Sequence, residues 1–217
     1  MKIYSVLILL IFFIGCQNKS QNDNKKEITY YNKVIEELGS SIKHNDIFLT
    51  FEFGDNKNVI KNKFAILFKE KFISRNNSGY TYTFVFDEHN FNNGYASFST
   101  KYHNGKLYNF KLTVEPHDIM KDFGGTSDTE TVQLQTNLLY YSLSKIYSDR
   151  YGIPIHRKNI LYDKDNQIWI NGNREIEISI ASNYVNINYT DLSVLNKLEK
   201  DVNESRIIQS TNTKKDI

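Results

Sequence analysis

The sequence predicts an α+β fold, and three observations carry that reading. Two sets of three segments alternate apolar with polar residues, the period of a strand, and ahead of each set the apolar residues recur at helical spacing. Between the second and third segments of the first set stands Asn104-Gly105, a pair whose turn positions both tolerate positive φ and which therefore signals a two-residue hairpin. The expected architecture is two units, each a helix plus a three-stranded antiparallel meander, with an extra helix at the N- and at the C-terminal side.

Along the chain, Ile28, Tyr31, Val34, Ile35 and Leu38 recur as one helical face, and Gly39 fits the position that ends a helix. Leu49, Phe51 and Phe53 alternate with Thr50 and Glu52 as a short strand or as an extended lead-in to the next helix. Gly54-Asp55 breaks this stretch, and Asp55 is placed to cap a helix with the stripe Val59, Ile60, Phe64, Leu67 and Phe68. Three strands follow: Tyr80, Tyr82, Phe84 and Phe86 on one side of the first, Ala96, Phe98, Thr100 and Tyr102 on the second, Tyr108, Phe110, Leu112 and Val114 on the third.

The second unit opens with Ser127-x-x-Glu130, a capping box, and its helix carries Leu139, Leu143, Ile146 and Tyr147 on one face until Gly152 and Pro154 stop it. Its strands are marked by Ile168-Trp169-Ile170, by Ile176, Ile178 and Ile180, and by Val185, Ile187 and Tyr189, with turns at Asn171-Gly172 and Ser182-Asn183. Asn173, in the looser loop after Trp169, is expected to tolerate replacement by Val better than Gly105 does. A last helix holds Leu192, Leu195 and Leu198.

The flanks differ in character. Residues 1–15 read as a signal segment: Met1-Lys2 gives a small positive start, Ile3 to Ile14 an apolar run, and Gly15 a small residue before Cys16. The run is about a dozen residues, short of the ~20 that a spanning helix needs. Residues 16–27 are polar and read as a flexible tether, 28–208 as the folded domain with halves 28–120 and 121–208, and 209–217 as a disordered tail. Lys and Arg number 27 against 25 Asp and Glu, a net charge of +2 without a dense cluster, which argues against a nucleic-acid surface. With one cysteine there is no internal disulfide, so the fold must rest on its core.

Phe13-Ile14-Gly15-Cys16 resembles the lipobox of bacterial lipoproteins, with Phe13 in place of the usual Leu. The resemblance implies a diacylglyceryl group and an amide-linked acyl chain on Cys16. Several acyl chains hold a protein to a bilayer far more firmly than one. Gln17, where Asp would imply inner-membrane retention, points to the outer membrane. The order of elements over Asp46 to Asp191 resembles the tandem helix-and-meander layout of β-lactamase-inhibitor-like proteins and of the small lipoproteins of the outer-membrane barrel assembly machine, which act by binding proteins.

Motifs for catalysis are absent from the sequence: no Gly-x-Ser-x-Gly, no His-Glu-x-x-His, no phosphate-cradling glycine loop. The sharpest site candidate is Asp87, His89, His117 and Asp118. They follow the first and third strands of one antiparallel meander and so leave from the same end of the sheet, where imidazole and carboxylate groups suit a zinc-like ion. Solvent-facing turns select the same residue types, and the reading adopted is that no cofactor or metal is bound. Tyr80, Tyr82, Tyr95, Tyr102 and Tyr108 near strand ends offer aromatic surface of the kind found at protein interfaces, while Phe84, Phe86, Phe98 and Phe110 are expected in the core.

The function expected from these residues is that of a lipid-anchored envelope lipoprotein that binds or scaffolds another envelope protein, without enzyme activity. The alternative is a ligand- or metal-binding accessory protein or a hydrolase with a loop site near His89 and His117.

Overall fold

The alternating segments come together as one antiparallel sheet, not two. In the computed structural model the described residues are 26–76, 79–85, 94–117, 125, 127–158 and 165–198. Among them lie four helices, α1 (26–39), α2 (Lys57–Lys69), α3 (Thr129–Tyr151) and α4 (192–198). The strands are β1 (Ser74–Asn76), β2 (Gly79–Phe84), β3 (Gly94–His103), β4 (Lys106–Pro116), β5 (Ile155–Arg157), β6 (Asn166–Asn171), β7 (Arg174–Ile180) and β8 (Val185–Asp191). Their order across the sheet is β1-β2-β3-β4-β8-β7-β6-β5, with every neighbouring pair antiparallel. The six pairs that join β4 to β8, from Asn109↔Thr190 to Val114↔Val185, make the two sets of strands continuous. Two three-residue strands, β1 and β5, flank the sheet at its outer edges and are too short to show a period in the sequence.

The inner face of the sheet carries the main core. Phe110, Leu112 and Val114 of β4, Ile176, Ile178 and Ile180 of β7, and Val185, Ile187 and Tyr189 of β8 are buried there with Leu139, Leu143 and Tyr147 of α3. Burying one such side chain contributes about 1.5–3 kcal/mol relative to leaving it in water. On the β2–β4 side the filling is aromatic: Phe51 lies 4.7 Å from Phe64 of α2 and 4.8 Å from Phe110, centroid to centroid, and Phe64 stacks on Tyr80 at 5.1 Å. Phe84 and Phe98 pack against this core from its margin, and Phe86 lies outside the described residues. Trp169 is buried on the same face, its Nε1–H donating to the Gly152 carbonyl at 2.8 Å.

The Asn104-Gly105 hairpin forms as expected: both residues have positive φ, 49° and 76°, and join β3 to β4. Elsewhere the local chemistry differs from the sequence reading. Leu49, Phe51 and Phe53 are not a strand. Asp46 bridges Glu52 across a tight loop with Leu49 at φ 54°, and the alternation reflects Phe51 and Phe53 turning into the core while Leu49 stays out. The cap of α2 is Asn56, whose side chain accepts from Asn58 and Val59 N–H at 3.0 Å, while Asp55 instead accepts from Lys63 Nζ at 2.8 Å. The cap of α3 is Asp128, accepting from Thr131 N–H at 2.7 Å, one residue beyond Ser127. Ile146 faces solvent on α3, because Leu139, Leu143 and Tyr147 already fill the contact with the sheet.

Helix α1 forms over the expected span, but its buried side is only partly the expected one. Tyr30 is buried, with Val34 and Leu38 packed beside it over Ile168, Ile170 and Leu192 on the outer face of the sheet. Ile28, Tyr31 and Ile35 point away from that contact and are exposed by 59, 56 and 71%. The helix is apolar on more of its circumference than the sheet covers.

Candidate functional site

Strand alternation places on the outer face every residue that the inner face leaves over, and on the central strands these are polar. Two rows cross the sheet: Lys101, Asn109, Thr190, Glu175 and Ile170 in one, Ser99, Lys111, Asn188, Glu177 and Ile168 in the next, each residue paired with its neighbour across adjacent strands. Helix α1 covers only the Ile168–Ile170 end. Beside it the uncovered polar rows form the floor of a cleft of about 550 Å³. Tyr31, Val34, Ile35 and Leu38 make one apolar wall, at the i, i+3, i+4, i+7 spacing of a helix contact face, and Leu192 and Leu195 of α4 add to it.

The floor is ordered by its own hydrogen bonds. The Asn109 amide donates to Asn188 Oδ1 at 2.8 Å, to Thr190 Oγ1 at 3.0 Å and to the Tyr189 carbonyl at 3.2 Å, which fixes the row before any ligand arrives. At its inner end Glu175 is 7% exposed and accepts from the Tyr30 hydroxyl at 2.6 Å. Burial pushes the Glu175 carboxyl pKa up, against the opposing hydrogen bond from Tyr30, with the Glu177 charge adding to the rise and Arg157 opposing it. Burial and the same carboxylate push the Tyr30 phenol up as well. Arg157 lies over the Tyr30 ring at 5.2 Å, and Asn166 donates to Glu177 Oε1 at 2.5 Å. The cleft thus offers hydrogen-bonding amides and hydroxyls, three acidic and two basic side chains and an apolar wall, a mixture suited to binding an amphipathic surface or segment.

Three contacts hold α1 at the edge of this cleft. Lys26 Nζ lies 2.5 Å from Asp165 Oδ2, Tyr30 donates to Glu175, and Glu37 accepts from the Gly172 N–H at 2.8 Å. Lys33, 2.8 Å from Glu37, and then the Gly172 N–H lower the Glu37 pKa. The segment after the helix continues the attachment: His44 N–H donates to Asn173 Oδ1 at 2.7 Å, and Arg174 Nη1 donates to the Asp46 carbonyl at 2.8 Å and to Asp46 Oδ2 at 2.6 Å. Arg174 is 3% exposed and its guanidinium sits 5.2 Å from the Tyr151 ring, beside the hydrogen-bonded hydroxyls of Tyr147 and Tyr189. Asn173 is therefore a buried, hydrogen-bonded residue. The loop is not loose there, and the β6–β7 turn is centred on Gly172-Asn173, between the paired Asn171 and Arg174.

Of the candidates read from the sequence, Cys16, Asp87, His89 and Asp118 lie outside the described residues. His117 is described and rests its ring on Tyr95 at 5.3 Å, edge to face. Among the described residues no three His, Cys, Asp or Glu side chains are grouped to hold a metal ion. Of the strand-end tyrosines, Tyr80 and Tyr82 are drawn into the aromatic core edge, Tyr108 lines the cleft, and Tyr95 stays exposed. Sequence reasoning missed Tyr30, Glu175 and Arg174. A signal for one was there: Arg174 shares strand register with Ile176, Ile178 and Ile180, so a charged residue had to enter the inner face.

Comparison of the chain with protein-family models, with curated proteins and with solved structures finds no match.

Proposed function

We propose that this chain is a lipoprotein of the bacterial envelope, anchored at the outer membrane through acyl chains on Cys16, whose domain binds or scaffolds another envelope protein and carries no enzyme activity. The observation that carries the binding reading is the cleft beside α1. Its wall has the side-chain spacing of a helix contact face, and its floor is pre-ordered by the Asn109, Asn188 and Thr190 hydrogen bonds. The lipobox-like Phe13-Ile14-Gly15-Cys16 supports the anchor. We read the sheet as two units, α2 with β1–β4 and α3 with β5–β8. The mirrored strand order, with the last strand of each unit meeting the other at β4·β8, supports that division.

A photo-crosslinking amino acid at Asn196, exposed at the cleft, and a second at Ser182, exposed on the β7–β8 turn, test the reading in intact cells. A discrete protein adduct is expected from position 196 and not from 182. Adducts of equal yield from both positions, or from neither, would count against the cleft as a partner site.

A further inference from the structure

We infer that α1 seats on the bilayer surface, with Ile28, Tyr31 and Ile35 as the lipid-contacting row. The occupant of this face is the interfacial layer of the membrane, and the inference rests on the lipoprotein reading of Cys16.

Helical geometry puts the three α1 residues together. At about 100° per residue, Ile28 and Ile35 fall within about 20° of each other on the helix surface and Tyr31 about 60° from Ile28. Their exposures of 59, 56 and 71% show a row that the sheet does not need, since Tyr30, Val34 and Leu38 already make the packing contact. Ile42, which follows the end of the helix, is also exposed, by 52%. Exposed apolar side chains occur elsewhere, including Leu134, Leu138 and Tyr141 on α3. Position along the chain sets α1 apart.

Residues 17–25 are all that separates Cys16 from the described start of α1. At 3.3–3.6 Å per residue, nine residues span at most about 30–32 Å. An acylated Cys16 would therefore keep α1 within that reach of the headgroups, and a short link raises the effective concentration of the second contact to the order of millimolar. Even a weak affinity for the interface then suffices. The chemistry is suitable: isoleucine is apolar, and tyrosine is enriched where one end of a side chain is dry and the other wet. The charges beside the row are partly compensated: Lys33 lies 2.8 Å from Glu37 and 3.3 Å from Glu36, and Lys26 is paired with Asp165, while Glu27 is exposed, so the seat rests on the apolar row and not on attraction to anionic lipid. Tyr31 and Ile35 also line the cleft, so in this orientation lipid covers their outer side, the cleft on the flank of α1 opens at the membrane plane, and a partner reaches it by moving along the bilayer.

The single cysteine makes the test clean, because an acylated Cys16 leaves the chain without a thiol. Full-length lipidated Ile35→Cys protein, and separately Ile28→Cys and Ser182→Cys, would be spin-labelled and reconstituted into vesicles of phosphatidylethanolamine and phosphatidylglycerol. Power-saturation electron paramagnetic resonance then reads collision with oxygen, which concentrates in lipid, against collision with a water-soluble nickel chelate. The oxygen-to-nickel ratio is expected to be severalfold higher at positions 28 and 35 than at 182. Equal ratios at all three, with one label per chain, overturn the membrane seat and leave the anchor standing. Two labels per chain mean that Cys16 is free, and overturn the anchor and the seat together.

Discussion

Two glycines with the same backbone requirement and different surroundings give a sharp test of the fold. Gly105 has φ 76° and Gly172 has φ 58°, both in the left-handed region that a side chain makes costly. Replacing either by Ala should cost about 1–2 kcal/mol from that source alone. The space around them differs. A Cβ on Gly105 would meet nothing within 4 Å, whereas one on Gly172 would lie 2.4 Å from the Ile42 carbonyl oxygen and 3.0 Å from its carbon. Those are backbone atoms and cannot rotate aside, so an overpacking cost of about 1–3 kcal/mol is added at Gly172. The displaced segment also carries the His44–Asn173 and Arg174–Asp46 contacts, and Gly172 itself donates to Glu37. With a urea slope of about 1–3 kcal/mol per molar, Gly105→Ala should lower the unfolding midpoint by a fraction of a molar to about 1 M, and Gly172→Ala by roughly twice as much. Equal midpoints for the two variants would refute the close approach of residue 42 to the β6–β7 turn. A Gly105→Ala midpoint equal to the parent's would refute the β3–β4 hairpin.

Asn173→Val should cost about 1–3 kcal/mol by leaving the His44 N–H without its acceptor, measurable as a fall in the urea midpoint comparable to that of Gly105→Ala, at a residue that the sequence alone places in a looser loop. The two carboxyls that touch α1 should oppose each other in pH. Glu175, with its pKa raised by burial, contributes stability that is full below the ordinary glutamate value of 4.5 and is lost as pH rises through its folded value, so Glu175→Gln should flatten the melting temperature on that side. Glu37, lowered by Lys33 and the Gly172 N–H, contributes stability above 4.5 that is lost as pH falls through its folded value, so Glu37→Gln should remove part of the acid-side decline; melting curves from pH 3 to 8, a range set about these carboxyls, check both signs. Cys16→Ala should abolish incorporation of a fatty-acid analogue in growing cells, and equal labelling of parent and variant would end the lipoprotein reading.

Much of the sheet was legible because alternation and burial coincide wherever one face packs and the other does not. Ile176, Ile178 and Ile180 show this, and so do Phe110, Leu112 and Val114. The hairpin was legible because Asn104-Gly105 encodes its φ values locally. What stayed hidden depends on contacts distant in sequence. Nothing near Tyr30 says that it will meet Glu175, 145 residues on. A period-3.6 count over 28–38 also cannot tell which arc of an apolar helix the sheet will take. The strand-like alternation of Leu49, Phe51 and Phe53 misled for a related reason: a loop that turns every second aromatic ring inward has the same sequence pattern as a strand. The edge strands β1 and β5, at three residues each, carry too little sequence to show any period.

The contacts of α1 also bear on how an anchored domain would respond to its anchor. Any force along the link from Cys16 enters the domain at the first turn of α1, where Lys26 meets Asp165, just before β6. Tyr30 passes it to Glu175 on β7, and Glu37 passes it to the turn between β6 and β7. All three attachments therefore fall on one hairpin and its approach, and that hairpin is further held through Asn173 and Arg174 to the segment after α1. Apart from its inner end, where Tyr30 holds Glu175 of β7, the floor of the cleft belongs to β3, β4 and β8, to which none of the three attachments runs. A load borne by α1 and the β6–β7 hairpin would thus leave Lys101, Asn109 and Asn188 in place while shifting the apolar wall opposite them. The cleft has one wall tied to the proposed anchor and a floor tied to the core, so its width is the property of this site that attachment to a membrane would most directly set.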